Sequence, residues 1–142
     1  FEMLSSKDRA RLAPRFKLVT LAEGQAAFQE GEHEGALYLI KEGSVVVEVR
    51  IGDKLIELAR LGKHQFFGEV SFLTGVPRTA TVHSLEDGTE LLKIKEDELK
   101  ELLRHHPYMK EVLSRYHLDR VTATADTLKN FLKNGNLEGI VS

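Results

Sequence analysis

The sequence predicts a mainly β fold, an antiparallel jelly roll or barrel with an N-terminal helix and C-terminal helices, the last of them long. Three observations lead there. Between Lys17 and about Lys95, short apolar runs are separated by glycines, several of them at the 8–12-residue spacing of turns in β-sandwiches and barrels. Before Lys17 and after Lys95 the apolar residues recur instead at helical spacing. Finally, no apolar stretch approaches the ~20 residues of a membrane helix, so these runs read as core strands.

The chain divides accordingly into residues 1–16, helical; 17–95, the β domain; 96–134, the closing helices; and 135–142, the start of a linker to a further segment. In the first part, Ser5 or Ser6 can cap a short helix to Phe16, with Leu4, Leu12 and Phe16 near one face and Pro14 ending or kinking it. In the second, Leu37-Tyr38-Leu39-Ile40 and Val45-Val46-Val47-Glu48-Val49 predict two strands joined by Lys41-Glu42-Gly43-Ser44 as a short hairpin connection. Ile51-Gly52-Asp53-Lys54 makes the next turn, into Leu55-Ile56-Glu57-Leu58. Residues 79–83 and 90–94 predict a later strand pair around Glu86-Asp87-Gly88.

Glu96, Asp97 and Glu98 place acid in the first turn of a helix, where the dipole favours it, and Leu99, Leu102 and Leu103 give it an apolar stripe. Pro107 stops that helix and suits the first position of the next, which runs from about Tyr108 to Lys133. Leu118, Val121, Ala125, Leu128 and Leu132 alternate by three and four along it. This seam serves either a homodimer through the long helix or packing against the β domain.

Composition removes several functions. A net charge of −2 lacks the basic excess of a nucleic-acid surface, so no nucleic acid is expected to bind this chain alone. With no cysteine there are no disulfides or thiolate metal sites, which is compatible with a reducing cytoplasm. No signal peptide or membrane span is evident, and a cytoplasmic location is expected. His33, His64, His83, His105, His106 and His117 form neither His-Glu-x-x-His nor His-x-His, and read as solvated surface residues rather than metal ligands. Neither a Gly-x-Ser-x-Gly elbow nor a nucleoside-triphosphate loop occurs, so the chain is not read as an enzyme.

Chemistry concentrates between Phe66 and Val82. Arg78 carries a planar fork of donors suited to two phosphate oxygens. Gly68 lets backbone approach a ligand closely, and Glu69 to Leu73 can form one helical turn with free N–H groups. Thr74-Gly75-Val76-Pro77 turns the chain back so that Arg78 faces the same space. Glu69 offers a carboxylate acceptor, Thr79 a hydroxyl, and Ala80 a small side chain beneath a ligand. Anion donors beside one acceptor are what a cyclic nucleotide demands, with its phosphodiester monoanion and free ribose 2′-hydroxyl.

Phe67-Gly68-Glu69-Val70-Ser71-Phe72-Leu73, then Arg78-Thr79-Ala80 and Val82, resembles the phosphate-binding cassette of the cyclic-nucleotide-binding domain family, of the catabolite activator and kinase regulatory subunit type. Gly-x-x-x-Phe-x-x-Gly-Glu from Gly24 and Leu-Tyr-x-Ile-x-x-Gly ending at Gly43 fit the family's early strands. The resemblance implies a regulatory module that binds cAMP or cGMP, with no metal, and signals through its closing helices. Backbone contacts would come from Gly68, Val70 and Ser71, Glu69 would take the ribose hydroxyl and Arg78 the phosphate, with Phe67 and Ala80 also in the binding set. Thr79 leaves cGMP open, and Thr124, aligned with a base-contacting hydroxyl in catabolite activators, favours cAMP if it reaches the base. The alternative is a non-binding structural or dimerising relative, in which Glu69 and Arg78 pair with each other or with neighbours.

Overall fold

The computed structural model describes residues 7, 10 and 13–133, except for the α3 side chains at 116, 119–124, 127, 128 and 131–133. Among the described residues, eight strands alternate with turns: β1 (Lys17–Leu21), β2 (Ala26–Phe28), β3 (Leu37–Glu42), β4 (Val45–Ile51), β5 (Lys54–Leu61), β6 (Phe66–Phe67), β7 (Thr81–Ser84) and β8 (Thr89–Ile94). A short helix α1 (Glu69–Thr74) interrupts them, and α2 (Glu96–His105) and α3 (Pro107–Lys133) follow. The strands form two four-stranded antiparallel sheets, ordered β1-β8-β3-β6 and β2-β7-β4-β5. The predicted β class with flanking helices is correct, but the sheets do not close into a barrel; the three-residue β2 and two-residue β6 are short edges.

Strand β3 shows why the apolar run is continuous rather than alternating. Tyr38 and Ile40 face the core between the sheets with Phe28, Val45, Phe67 and Leu91, whereas Leu37 faces a second cluster with Ile94, Leu99, Leu102 and Leu113. A strand covered on both faces has no polar side to present. The second cluster fastens α2 and the start of α3 to the first sheet, as the Leu99 and Leu102 stripe predicts.

The predicted hairpin between β3 and β4 does not form: the two strands lie in different sheets, and the turn at Gly43, whose φ is 92°, carries the chain from one sheet to the other. A Cβ there would stand 2.5 Å from Thr89 Oγ1, so the turn packs directly on β8. Strands β7 and β8 are not the predicted pair: they lie in different sheets. The backbone of their connection bonds outward to other turns, Leu85 N–H to Ser44 O at 3.0 Å and Gly88 N–H to Leu21 O at 3.0 Å. Buried Ser84 donates to Thr89 Oγ1 at 2.7 Å and ties the two sheets at this corner.

At the N-terminus, Lys7 and Ala10 are helical, and Pro14 sits in a 3-10 turn, Ala13–Arg15, instead of within a helix reaching Phe16. The predicted caps Ser5 and Ser6 lie outside the described residues, as does the linker 135–142. Among the described residues no helix is long and apolar enough to cross a membrane.

Candidate functional site

The segment after β6 is built around a left-handed backbone at Gly68, φ 90°, from which α1 begins. A Cβ on Gly68 would lie 2.9 Å from both Ala36 O and Arg78 Nη1. Glycine is therefore needed for the backbone turn and to leave room for the arginine, not only for a ligand. The helix ends at Gly75, φ 73°, whose N–H donates to Ser71 O at 2.9 Å. Glu69 is 1% exposed and its Oε2 accepts the Val70 N–H at 3.0 Å.

Arg78 is anchored first by its backbone, donating to Glu32 O at 2.8 Å and accepting from Gly31 N–H at 2.8 Å. Its side chain is buried, 3% exposed. Nη1 donates to Gly68 O at 2.9 Å, and Nη2 donates to Ala36 O at 2.8 Å and reaches Glu34 Oε1 at 3.4 Å. The guanidinium lies 3.9 Å from the centroid of the Phe28 ring, a cation–π contact in a desolvated setting. Phe28 in turn tilts against Tyr38 and Phe67, which stack on each other at 5.0 Å and 1°.

Glu34 completes this charge arrangement, accepting from Tyr38 OH at 2.9 Å and from Lys93 Nζ at 3.4 Å. Burial acts to raise its carboxyl, but the Tyr38 hydrogen bond and the Lys93 and Arg78 charges outweigh burial and hold it below the ordinary value. Burial, followed by the Glu34 hydrogen bond, pushes the Tyr38 phenol well up. Burial lowers the Arg78 guanidinium, opposed by Tyr38 and Glu34, and an arginine stays charged throughout.

One cavity of about 220 Å³ collects Phe67, Gly68, Glu69, Val70, Ser71, Arg78, Thr79 and Ala80, all predicted from sequence. Thr79 is exposed and Ala80 half-buried. Thr124 falls in the α3 backbone, and its side chain lies outside the described residues. Phe28, Val47, Leu58 and Val82 supply the apolar lining, and α3 contributes His117. Phe28 and Val82 stood in matched motifs, although their place in the lining did not follow from them. Val47 and Leu58 carried no signal beyond strand periodicity.

The reading of all six histidines as solvated surface residues needs correction. His83, His106 and His117 are half-buried; His83 Nε2 bonds Glu48 Oε1, and His117 faces the cavity. Sheet and helix packing, not local pattern, brings them in. Around the cavity, Arg78 Nε and Ser71 Oγ are buried donors with no hydrogen-bond partner among the described residues.

Comparison with known proteins agrees with this geometry. The sequence profile of the Cyclic nucleotide-binding domain matches residues 18–106. The type II regulatory subunit of cAMP-dependent protein kinase from Drosophila melanogaster is 32% identical over 81 residues, 57% of this chain and 22% of that protein. The N-terminal domain of a transcriptional regulator from Streptomyces coelicolor A3(2) superposes with a TM-score of 0.70 at 31% identity, over 89% of this chain and 88% of that one. Thermus thermophilus Catabolite Activator Protein gives 0.70 at 28% identity, over 97% and 60%. The chain spans only 7–26% of the length of the first curated relatives it matches. The profile, the relatives and the shared two-sheet architecture agree: the chain belongs to the cyclic nucleotide-binding domain family, in the type shared by catabolite activators and kinase regulatory subunits.

Proposed function

We propose that the cavity binds a 3′,5′-cyclic nucleotide, cAMP or cGMP, and that the chain is the sensing module of a longer regulatory protein. The observation that carries this reading is the pair of buried, unpartnered donors, Arg78 Nε and Ser71 Oγ, lining one cavity with the Glu69 carboxylate. A buried donor left without a partner costs about 1–3 kcal/mol, so a site that keeps two of them is suited to an anion. The phosphodiester takes those donors, and Glu69 takes the ribose 2′-hydroxyl. Arg78 is pre-set for this role, because Phe28 and three oxygens hold its guanidinium.

Thr79, exposed on the cavity lining, is the residue proposed to distinguish the purines, its hydroxyl serving the guanine amino group. Signalling would pass to α3, which packs against α1 and β5 beside the cavity. Self-association is proposed along the α3 seam, where Leu118 is 63% exposed.

Isothermal titration with cAMP and cGMP tests the reading. Saturable binding of either one supports it. A folded chain that binds neither at millimolar concentration leaves the alternative, a structural relative in which Glu34 and backbone carbonyls permanently occupy Arg78.

A further inference from the structure

Resting on the cyclic-nucleotide reading, we infer that His117 of α3 is the residue that holds the base of the bound nucleotide, through its Nδ1 atom. Three observations meet at this side chain. It lines the same cavity as Arg78, Ser71 and Glu69, and among the described residues it is the lining group that α3 supplies. Its Nδ1 is buried and has no hydrogen-bond partner among the described residues. Of the other polar side chains of the lining, Glu69, Ser71 and Arg78 take phosphate and sugar, and Thr79 is exposed and serves only the guanine amino group.

The assignment follows by matching polar groups. A cyclic nucleotide has three polar parts, and the first two are matched by Arg78 with Ser71 and by Glu69. The base remains, with ring nitrogens and exocyclic groups at its edge. The lining outside residues 67–82 is otherwise apolar, Phe28, Val47 and Leu58, which suits the faces of a purine and satisfies none of its edge. Outside residues 67–82, His117 Nδ1 is the buried polar atom among the described lining residues, and it can serve the edge of either purine. An imidazole nitrogen can donate or accept according to its tautomer, so it can serve an amino group or a ring nitrogen. The contact also ties ligand to helix: the base would bridge Val47 of β4 and Leu58 of β5 to α3.

The test is titration of the whole chain and its variants with cAMP, cGMP and a base-free probe, methyl ribofuranoside 3′,5′-cyclic phosphate. His117→Leu is expected to weaken the preferred purine nucleotide about five- to thirtyfold while leaving the base-free probe within about twofold. His117→Asn, which keeps a polar atom near the place of Nδ1, recovers most of the loss. His117→Gln, which places it near Nε2, does not. The thermal midpoint of the ligand-free His117→Leu variant stays level or rises, since an unpartnered buried polar atom is removed. Unchanged purine affinity in His117→Leu overturns the inference, as does an equal loss for the base-free probe, the mark of a merely structural role. Should His117→Leu not fold, the Asn and Gln variants decide alone, and equal affinities for them overturn it. Failure of the unaltered chain to bind any of the three ligands removes the nucleotide reading itself, a different outcome from failure of His117.

Discussion

The guanidinium of Arg78 rests 3.9 Å above the ring of Phe28, fifty residues earlier in the chain, and is 3% exposed there. The ring covers the apolar face of the ion while Gly68 O, Ala36 O and Glu34 take its terminal N–H groups. Nε has no hydrogen-bond partner among the described residues.

Replacing that arginine has two consequences. Arg78→Ala is expected to weaken cyclic-nucleotide binding by about 2–5 kcal/mol, since a desolvated phosphate loses its charged partner. Titration would show roughly 30- to several-thousand-fold in Kd. It also leaves Ala36 O and Gly68 O without this donor, which costs about 1–3 kcal/mol each where they stay dry. Urea denaturation measures that second loss; a variant within about threefold of the original affinity would contradict the phosphate role.

Gly68→Ala acts through the backbone. Its φ of 90° is strained for alanine, and the new Cβ meets Ala36 O and Arg78 Nη1 at 2.9 Å. The strain is expected to cost about 1–3 kcal/mol of stability, read from the denaturation midpoint. Displacement of Arg78 should weaken the ligand as well.

The acid limb of stability reports on Glu34. Its carboxyl lies below the ordinary value near 4.5, through Tyr38, Lys93 and Arg78 working against burial. A depressed folded value means the contribution is fully present above 4.5 and is lost as pH falls through the lowered one. Glu34→Gln should therefore be less stable at pH 7, by under about 1 kcal/mol for so exposed a group. The gap from the unaltered chain should close in strong acid. Urea midpoints that stay apart by the same amount down to pH 2 would show that the carboxylate charge is not what matters.

Thr79→Ala separates the two purines. The hydroxyl at the cavity lining is expected to serve cGMP, so its removal should lower cGMP affinity more than cAMP affinity in parallel titrations. Equal effects would take Thr79 out of base selection.

Leu118→Glu tests the long helix. An apolar side chain 63% exposed on α3 suits a seam between two copies, and a charge there should reduce the sedimentation mass to that of a monomer. A mass unchanged by the substitution would place the seam elsewhere.

Much of the cassette was legible because it is local. Phe67 to Ser71 and Arg78 to Ala80 sit within fourteen residues (67–80), and Gly68 and Gly75 announce turns by conformational preference alone. The β4–β5 hairpin was legible for the same reason, with Gly52 between two apolar runs, whereas the turn at Gly43 joins strands of different sheets, which its local pattern does not reveal. Phe28 beneath Arg78 was not, nor was Glu34 linking Tyr38, Lys93 and Arg78, because each partner comes from a different strand or loop. The β7–β8 pairing was misread because a Glu-Asp-Gly turn looks alike whether it joins strands of one sheet or carries the chain to another. Its hydrogen bonds to Ser44 and Leu21 decide that.

By itself, then, the sequence determined the β class, the closing helices and the local run of residues 67–80 that lines the cavity, since turn preferences and apolar periodicity act over a few residues. Tertiary structure alone decided that two open sheets form instead of a closed barrel. It also decided that an aromatic ring and a distant carboxylate hold Arg78, and that His117 turns into the cavity instead of toward water. The reason is physical: which face of α3 meets β5 and α1, and which strand covers which, follows from how whole surfaces pack. No window of neighbouring residues contains that information.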